Sequence, residues 1–321
     1  MKMFNAGHQG ILIQKSKKNT AIKTLKNNYQ LLLMAMPVIL FLFIFRYLPL
    51  GGLVLAFKDF RYDLGIFGSP WNGLKNIEFF FKSDAALQIT LNTLAYNFTF
   101  IIFGTIINAG VALLMNEIRS KSAIKFYQTA MFFPYFMSWV IVAFIVYAIL
   151  SPGYGILNRI LEMLGGTPGD WFTDTGIWPA VLITAGLWKY MGYSVLLYYA
   201  VLIGIDSAYY EAARVDGATK LKMAWHISIP FLIPVTLIQF ILAVGRIFYS
   251  DFGLFYQVPQ NVSILYRATD VIDTYVFRAL MYLNDIGMST AIGLFQSVLG
   301  VILVLAANKL VKSIDEESAL F

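Results

Sequence analysis

Long uninterrupted apolar runs dominate the pattern of hydrophobic and polar positions along this chain. An α-helix needs about 20 apolar residues to cross a hydrocarbon core, whereas the strands of a membrane barrel show as roughly ten-residue alternations, which we do not find here. The pattern predicts an all-α integral membrane protein of about six transmembrane helices. These are expected at Leu31 to Phe57, Leu87 to Met115, Phe126 to Leu150, Ile177 to Ile203, Ile227 to Phe248 and Gly287 to Val311.

Composition supports this fold class and narrows the chemistry. Hydrophobic residues make up 59% of the chain and charged residues 13%, with a mean hydropathy of +0.68, which is too apolar for a single water-facing domain. The chain has no cysteine, which excludes disulfides and thiolate metal sites, and its two histidines are too few and too far apart to suggest a metal site.

Basic residues predict the orientation of the helices. With the N-terminus inside, fourteen Lys and Arg fall in cytoplasmic segments and seven in outer segments, which favours two cytoplasmic termini, although four basic residues in the first outer loop weaken the bias. We therefore attribute the net charge of +6 to basic residues that set the orientation of the membrane helices, and not to nucleic-acid binding. We expect a cytoplasmic arm over residues 1–28, a membrane domain over 29–311 and a cytoplasmic tail over 312–321.

The segment from Ile205 to Pro230, between the fourth and fifth predicted helices, is unlike a simple connection. Apolar and small residues recur there at helical spacing, and Gly217 followed by Thr219 predicts a stop and a restart. Two short helices on the cytoplasmic face are expected, with Ser228 capping the fifth span. Periodicity alone leaves two interpretations open, a docking surface for another protein or an amphipathic helix held by lipid headgroups.

The spacing within this loop points to a family. The order Glu211-Ala212-Ala213, three residues, Gly217, nine residues, Ile227, one residue and Ile229-Pro230 resembles the EAA motif of binding-protein-dependent ABC importer permeases, with Ile229 in place of the usual Leu. The sequence around Asp216 resembles that of the carbohydrate branch of this family, in particular its maltose-permease-like, polysaccharide and alginate-type members. Other segments of the chain also resemble this branch, namely Ala56 to Asp59, Gly68 to Trp71, Asn92 to Leu94 and Phe133 to Val140.

The resemblance implies a fold, a mechanism and a set of partners. It implies a type I importer permease in the bacterial inner membrane that works by alternating access. The partners would be a second, homologous permease subunit, a pair of ABC ATPase subunits, an extracytoplasmic solute-binding protein and a saccharide. It also implies that Glu211 meets a basic residue of the ATPase, with Ala212, Ala213, Asp216 and Gly217 in the same contact.

Two absences in the sequence agree with an external energy source. No segment has the Gly-x4-Gly-Lys-Ser/Thr pattern that cradles ATP phosphates, so we expect no cofactor in this chain, ATP and Mg being bound by the partner ATPase. The six predicted spans contain no Asp, Glu or His, which disfavours a proton-coupled carrier and an intramembrane enzyme.

Polar residues inside the spans are candidates for the substrate path. Lys189 lies near the middle of the fourth span and shares a helical face with Tyr193, while Gln239 and Arg246 lie on a polar stripe of the fifth. Arg246 is near the outer end, where snorkelling is an equal alternative. Cations without intramembrane acids favour an anionic or richly hydroxylated substrate, such as alginate oligosaccharides. Glycerol phosphate, amino acids or peptides remain alternative cargoes, and a membrane scaffold or enzyme is an alternative of another class.

Overall fold

The computed structural model describes residues 27–320, so most of the predicted arm over residues 1–28 lies outside the described residues. The described part is almost entirely helical, and its one β-type contact is an isolated bridge between Lys58 and Trp71. Its helices of six residues or more are α1 (Tyr29–Phe57), α2 (Lys75–Lys82), α3 (Asp84–Asn116), α4 (Lys121–Phe132), α5 (Trp139–Leu150), α6 (Ile156–Met163), α7 (Trp178–Ile203), α8 (Ser207–Val215), α9 (Lys220–Gly245), α10 (Phe252–Gln257), α11 (Ile272–Tyr282) and α12 (Ile286–Ile314).

Five of these helices, α1, α3, α7, α9 and α12, are long and apolar enough to cross a membrane, which confirms the predicted fold class. α9 begins at Lys220, seven residues before the predicted start of the fifth span, because Thr219 caps its first turn and the helix continues through a π-helical stretch from Ala224 to Ser228. The longer helix takes in His226, whose Nδ1 lies 3.0 Å from the carbonyl of Lys222.

The third predicted span is not one straight helix. The segment Lys121–Phe136 and α5 meet at an angle of 99°. Pro134 has no N–H to continue an α-helical ladder, Met137 is extended, and the Ser138 hydroxyl caps α5 by accepting from the Ile141 N–H at 3.3 Å. A periodic apolar pattern runs unchanged through such a break, so the hydropathy of 126–150 could not reveal it.

Helices α3 and α7 pack side by side and are held by two buried clusters, one toward each end. The cluster at the predicted outer end includes Tyr96, Trp178 and Leu254, and the cluster at the predicted cytoplasmic end includes Met115 and Tyr198. Between the two clusters the helices are lined by polar side chains, and this separation leaves room for a cavity.

Close packing of α7 on α4 depends on Gly192, and this gives a first prediction. A Cβ built on Gly192 would lie 2.1 Å from the Met131 carbonyl oxygen, so Gly192→Ala must displace backbone. We expect a loss of about 1–3 kcal/mol in stability, seen as a lower thermal unfolding midpoint of the purified protein. Gly293→Ala is the matched control, because a Cβ at Gly293 meets nothing within 4 Å. Equal midpoints for the two variants would contradict the packing described here.

Candidate functional site

A polar cavity of about 670 Å³ lies between α3, α7, α9 and the segment that follows α9. Its volume is within the range of small-molecule sites, about 300–1,000 Å³. Four helical or turn segments contribute its polar lining, which consists of Asn97, Thr105, Asn108, Tyr190, Ser194, Tyr198, Gln239, Arg246, Tyr249, Ser250 and Asp251.

Asn97 on α3 positions the outer wall of the cavity. Its amide nitrogen donates to the carbonyl oxygens of Ile247 at 2.9 Å and Tyr249 at 3.1 Å. These carbonyls lie just beyond the end of α9, where helical partners run out. Asn97 therefore fixes the segment that carries Arg246 and Asp251 against α3.

Two of the four residues predicted for the substrate path, Gln239 and Arg246, line this cavity together. The Arg246 guanidinium makes no hydrogen bond or salt bridge with any described residue, and the residue is exposed. The Gln239 amide nitrogen is buried and has no acceptor among the described residues. The cavity wall thus holds one cation without a hydrogen bond or salt bridge to any described residue, and one unused amide donor.

The other two, Lys189 and Tyr193, are not among the residues that line the cavity. The Lys189 side chain is 5% exposed, and its ammonium donates to the carbonyls of Pro134, Tyr135 and Met137. The Tyr193 ring stacks on Tyr135, with centroids 5.3 Å apart. Both side chains therefore contact the break between α4 and α5.

Sequence reasoning missed Asp251, the acid that the structure places at the cavity wall. Its Oδ2 accepts from Trp139 Nε1 at 2.8 Å and from the Tyr190 hydroxyl at 2.5 Å, and its Oδ1 accepts from the N–H groups of Gly253 and Leu254. Asp251 lies just past the fifth predicted span, so a search limited to the spans did not include it. An Asp directly before a short apolar helical pattern, in cap position, was the available signal.

A second acid, Asp273 in α11, lies behind this segment. Burial raises the pKa of Asp273 to about 6, against the lowering effects of a hydrogen bond from the Ser250 N–H at 2.7 Å and of the charge on Arg246. Burial also raises the pKa of Asp270, despite its ion pair with Arg278. No group of three or more potential metal ligands occurs within the described residues.

The predicted loop folds around α8. The Asp206 side chain caps α8 by accepting from the Ala208 N–H at 2.9 Å. Gly217 ends it with a φ of +74°, and the N–H groups of Ala218 and Gly217 bond to the carbonyls of Ala213 and Arg214 at 2.8 and 3.0 Å. This is a Schellman motif, so the glycine at the fixed spacing is the residue whose conformation turns the chain out of α8.

Two expectations for the loop need correction. The chain restarts as a helix after Gly217, as the sequence predicts, but that helix is the first part of α9 rather than a separate surface helix. Ser228 is helical and makes no capping bond; its hydroxyl instead lies 2.9 Å from the Tyr210 hydroxyl. The continuous helix means that α8 is joined to α9 by a single turn.

α8 presents an accessible face of charged, small and apolar side chains. Glu211, Ala212, Asp216 and Gly217 are exposed, whereas Ala213 is half-buried, and the Glu211 carboxylate forms no salt bridge with any described residue. Large apolar side chains are exposed around it, with exposed fractions of 88% for Val215, 79% for Leu221 and 66% for Trp225. We call this surface, α8 with Leu221 and Trp225, the docking face.

The docking face contacts α9 and lies near the ends of α3 and α7. Tyr210 contacts Ser228 in α9, and the Lys220 ammonium lies 2.5 Å from the carboxylate of Glu117, which follows α3. A cavity of about 780 Å³ separates α8 from the ends of α3 and α7. These contacts connect α8 with α9, and α9 with the end of α3, and both α3 and α9 line the polar cavity.

Comparisons with known sequences bear on this arrangement. The family model for the binding-protein-dependent transport system inner membrane component matches residues 109–316. The polygalacturonan/rhamnogalacturonan transport system permease protein YteP of Bacillus subtilis (strain 168) is 33% identical over 315 residues, covering 96% of this chain and 95% of that protein. The protein LplB of the same organism is 31% identical and covers 91% of this chain and 92% of its own length.

Solved structures match over the same length. A chain from the crystal structure of a bacterial ABC transporter involved in the import of the acidic polysaccharide alginate has a TM-score of 0.85 and 30% sequence identity, covering 92% of this chain and 99% of its own. A chain from the bacterial alginate ABC transporter in complex with an alginate pentasaccharide-bound periplasmic protein has a TM-score of 0.83, 30% identity and coverages of 91% and 97%.

Proposed function

The chain belongs to the binding-protein-dependent transport system inner membrane component family, and from that premise we propose that it is a permease subunit of an ATP-driven importer for saccharides, with acidic oligosaccharides as the preferred class. The similarity to a polygalacturonan/rhamnogalacturonan permease and to a transporter that imports alginate supports a polyuronate-type cargo. Both of those cargoes have many hydroxyls and carboxylates.

The single observation that carries the cargo proposal is the polar cavity with its unpaired cation. Arg246 and the Gln239 amide are donors without acceptors among the described residues, and the hydroxyls of Tyr198 and Ser194 line the same space. A sugar carboxylate would accept a charge-assisted, two-point hydrogen bond from a guanidinium, and hydroxyls would accept from the amide. We place the substrate path here, between α3, α7 and α9.

The docking face supports the second part of the proposal, coupling to a separate ATPase. An exposed, unpaired Glu211 beside exposed Val215, Leu221 and Trp225 is suited to a groove that combines a basic residue with apolar walls. We propose that a pair of ATPase subunits binds ATP and Mg and that one of them occupies this face. Closure of that pair moves α8, and the spans rock as rigid groups between two access states.

The remaining proposed partners would bind two other surfaces of the chain, one apolar and one on the outer side. A second, homologous permease would pack against apolar helix surfaces that are exposed in this single chain, such as α1, and a solute-binding protein would dock on the outer segments. α8 and both termini would then face the cytoplasm in a bacterial inner membrane, as the basic-residue bias predicts.

Reconstituted uptake tests this function. The chain, with its second permease and ATPase in lipid vesicles, is supplied with its solute-binding protein outside and ATP inside, and labelled oligouronates are offered. We expect uptake that requires both ATP and the binding protein. Uptake of sn-glycerol 3-phosphate in place of saccharides would favour the alternative cargo suggested by the 27% identity to a UgpA permease. No ATP-dependent uptake of any solute would overturn the proposal.

A further inference from the structure

The break between α4 and α5 leaves backbone groups that need partners. Helix ends leave carbonyls without intrahelical donors, and in a membrane-spanning region such groups are costly unless another part of the protein satisfies them. Here the chain turns by 99°, so the carbonyl oxygens of Pro134, Tyr135 and Met137 converge on one point instead of pointing along a helix axis. We call these three oxygens the carbonyl cup.

The Lys189 ammonium occupies the carbonyl cup. Its nitrogen lies 3.3 Å from the Pro134 oxygen, 2.9 Å from the Tyr135 oxygen and 2.5 Å from the Met137 oxygen. Three N–H donors thus meet three acceptors, which uses the full capacity of an ammonium group. The rings of Tyr135, Trp139 and Tyr190 lie 5.3–5.9 Å from the same nitrogen, and the side chain is 5% exposed.

Asp251 accepts hydrogen bonds from two of these aromatic residues, Trp139 and Tyr190. Trp139 and Tyr190 each donate to its Oδ2, while its Oδ1 accepts from the first N–H groups of α10. A Cβ on Gly253 would lie 2.0 Å from Trp139 Cδ1, so this glycine permits the contact. Lys189, Trp139, Tyr190 and Asp251 therefore connect four pieces of chain, namely the carbonyl cup, α5, α7 and α10.

From this geometry we propose that Lys189 is a positioning residue, not a substrate contact: by filling the carbonyl cup it locks the broken span to α7 and so sets Tyr190 and Asp251 in the cavity wall. The proposal rests on the transport function proposed above. It makes α5, α7 and α10 one rigid group during alternating access, because a shift of any one of them would break hydrogen bonds to the charged groups of Lys189 or Asp251.

Chemical rescue in the reconstituted importer tests this role. Lys189→Ala empties the cup, and we expect the maximal rate of ATP-driven uptake to fall by about tenfold or more with little change in the KM for saccharide. Added n-butylammonium replaces the lost side chain and its donors, so it should restore a large part of that rate. Tetramethylammonium, which has the charge but no N–H, should not restore it.

The controls separate this proposal from the function on which it rests. Lys75→Ala removes an exposed lysine on α2, and added n-butylammonium should not raise the uptake rate of this variant. If Lys189→Ala does not fold, Trp139→Phe keeps an aromatic ring but removes the indole donor to Asp251, and it should lower the maximal rate at constant KM. A raised KM at an unchanged rate, or full activity of both variants, would overturn the positioning role. Absence of ATP-dependent uptake in the wild type would instead overturn the proposed function.

Discussion

Glu211→Lys is expected to abolish ATP-driven uptake while leaving the membrane domain folded. The side chain is exposed and forms no salt bridge with any described residue, so its reversal removes nothing from the fold itself. At an interface with a basic residue, the new lysine would replace an attraction by a repulsion, and like-charge contacts at interfaces cost several kcal/mol. Loss of ATPase co-purification, or ATP hydrolysis without uptake, is the measurement that shows it.

Glu162→Lys is the matched control for this experiment. Glu162 is an exposed acid in α6, remote in sequence from the docking face, so the same charge reversal should leave co-purification of the ATPase intact. Glu211→Ala should have a smaller effect than Glu211→Lys, because it removes the attraction without adding a repulsion. Normal uptake by Glu211→Lys would show that α8 is not the coupling element and would favour the alternative of a helix held by lipid headgroups.

Arg246→Glu is expected to reduce uptake of acidic oligosaccharides by about tenfold to a hundredfold, since a hydrogen bond to a charged group contributes on the order of 1.5–3 kcal/mol. The loss should appear mainly as a discrimination against carboxylates, so a neutral oligosaccharide of the same length should be affected much less. Transport competition between the two sugars in reconstituted vesicles measures that ratio.

Arg159→Glu provides the comparison for Arg246→Glu. Arg159 is an exposed arginine of α6 that does not line the polar cavity, and reversing it should leave the ratio between acidic and neutral sugars unchanged. An equal loss for both sugars in Arg246→Glu would show that Arg246 does not select charge. Unchanged uptake of both would remove the polar cavity from the substrate path.

The structure also changes the electrostatic argument for an acidic cargo. The sequence shows three basic residues inside the predicted spans without intramembrane acids to pair them. In the folded chain Lys189 is satisfied by carbonyl oxygens, and Asp251 lies close enough to Lys189 to affect it electrostatically. Of the basic residues near the polar cavity, Arg246 is left as the cation that faces it, so the case for a carboxylate rests on one side chain.

The docking face was the part of the site best determined by sequence. Its features are local: the cap at Asp206, the helical turn around Glu211 and the glycine that ends α8 are all set within a few residues, and their spacing is fixed along the chain. Spacing within one helix predicts a shared face without any knowledge of the rest of the fold. The continuation of α9 through Ser228 was missed because Pro230 is typical of the first turn of a helix and is disfavoured inside one. In the structure a π-helical stretch from Ala224 to Ser228 precedes Pro230, and the helix continues through it.

By itself, then, the sequence determined the helical membrane fold, the approximate spans and the position of the Glu211-Ala212-Ala213 motif, because apolar run length and residue spacing are properties of the chain. Only the tertiary structure decided which polar side chains meet. Lys189 and Arg246 are both cations within predicted spans, yet one fills a carbonyl cup and the other faces a cavity. That difference arises from the 99° break beside Pro134 and from the return of the chain at Asp251. The partners come from segments more than 50 residues apart, and no local pattern encodes such a meeting.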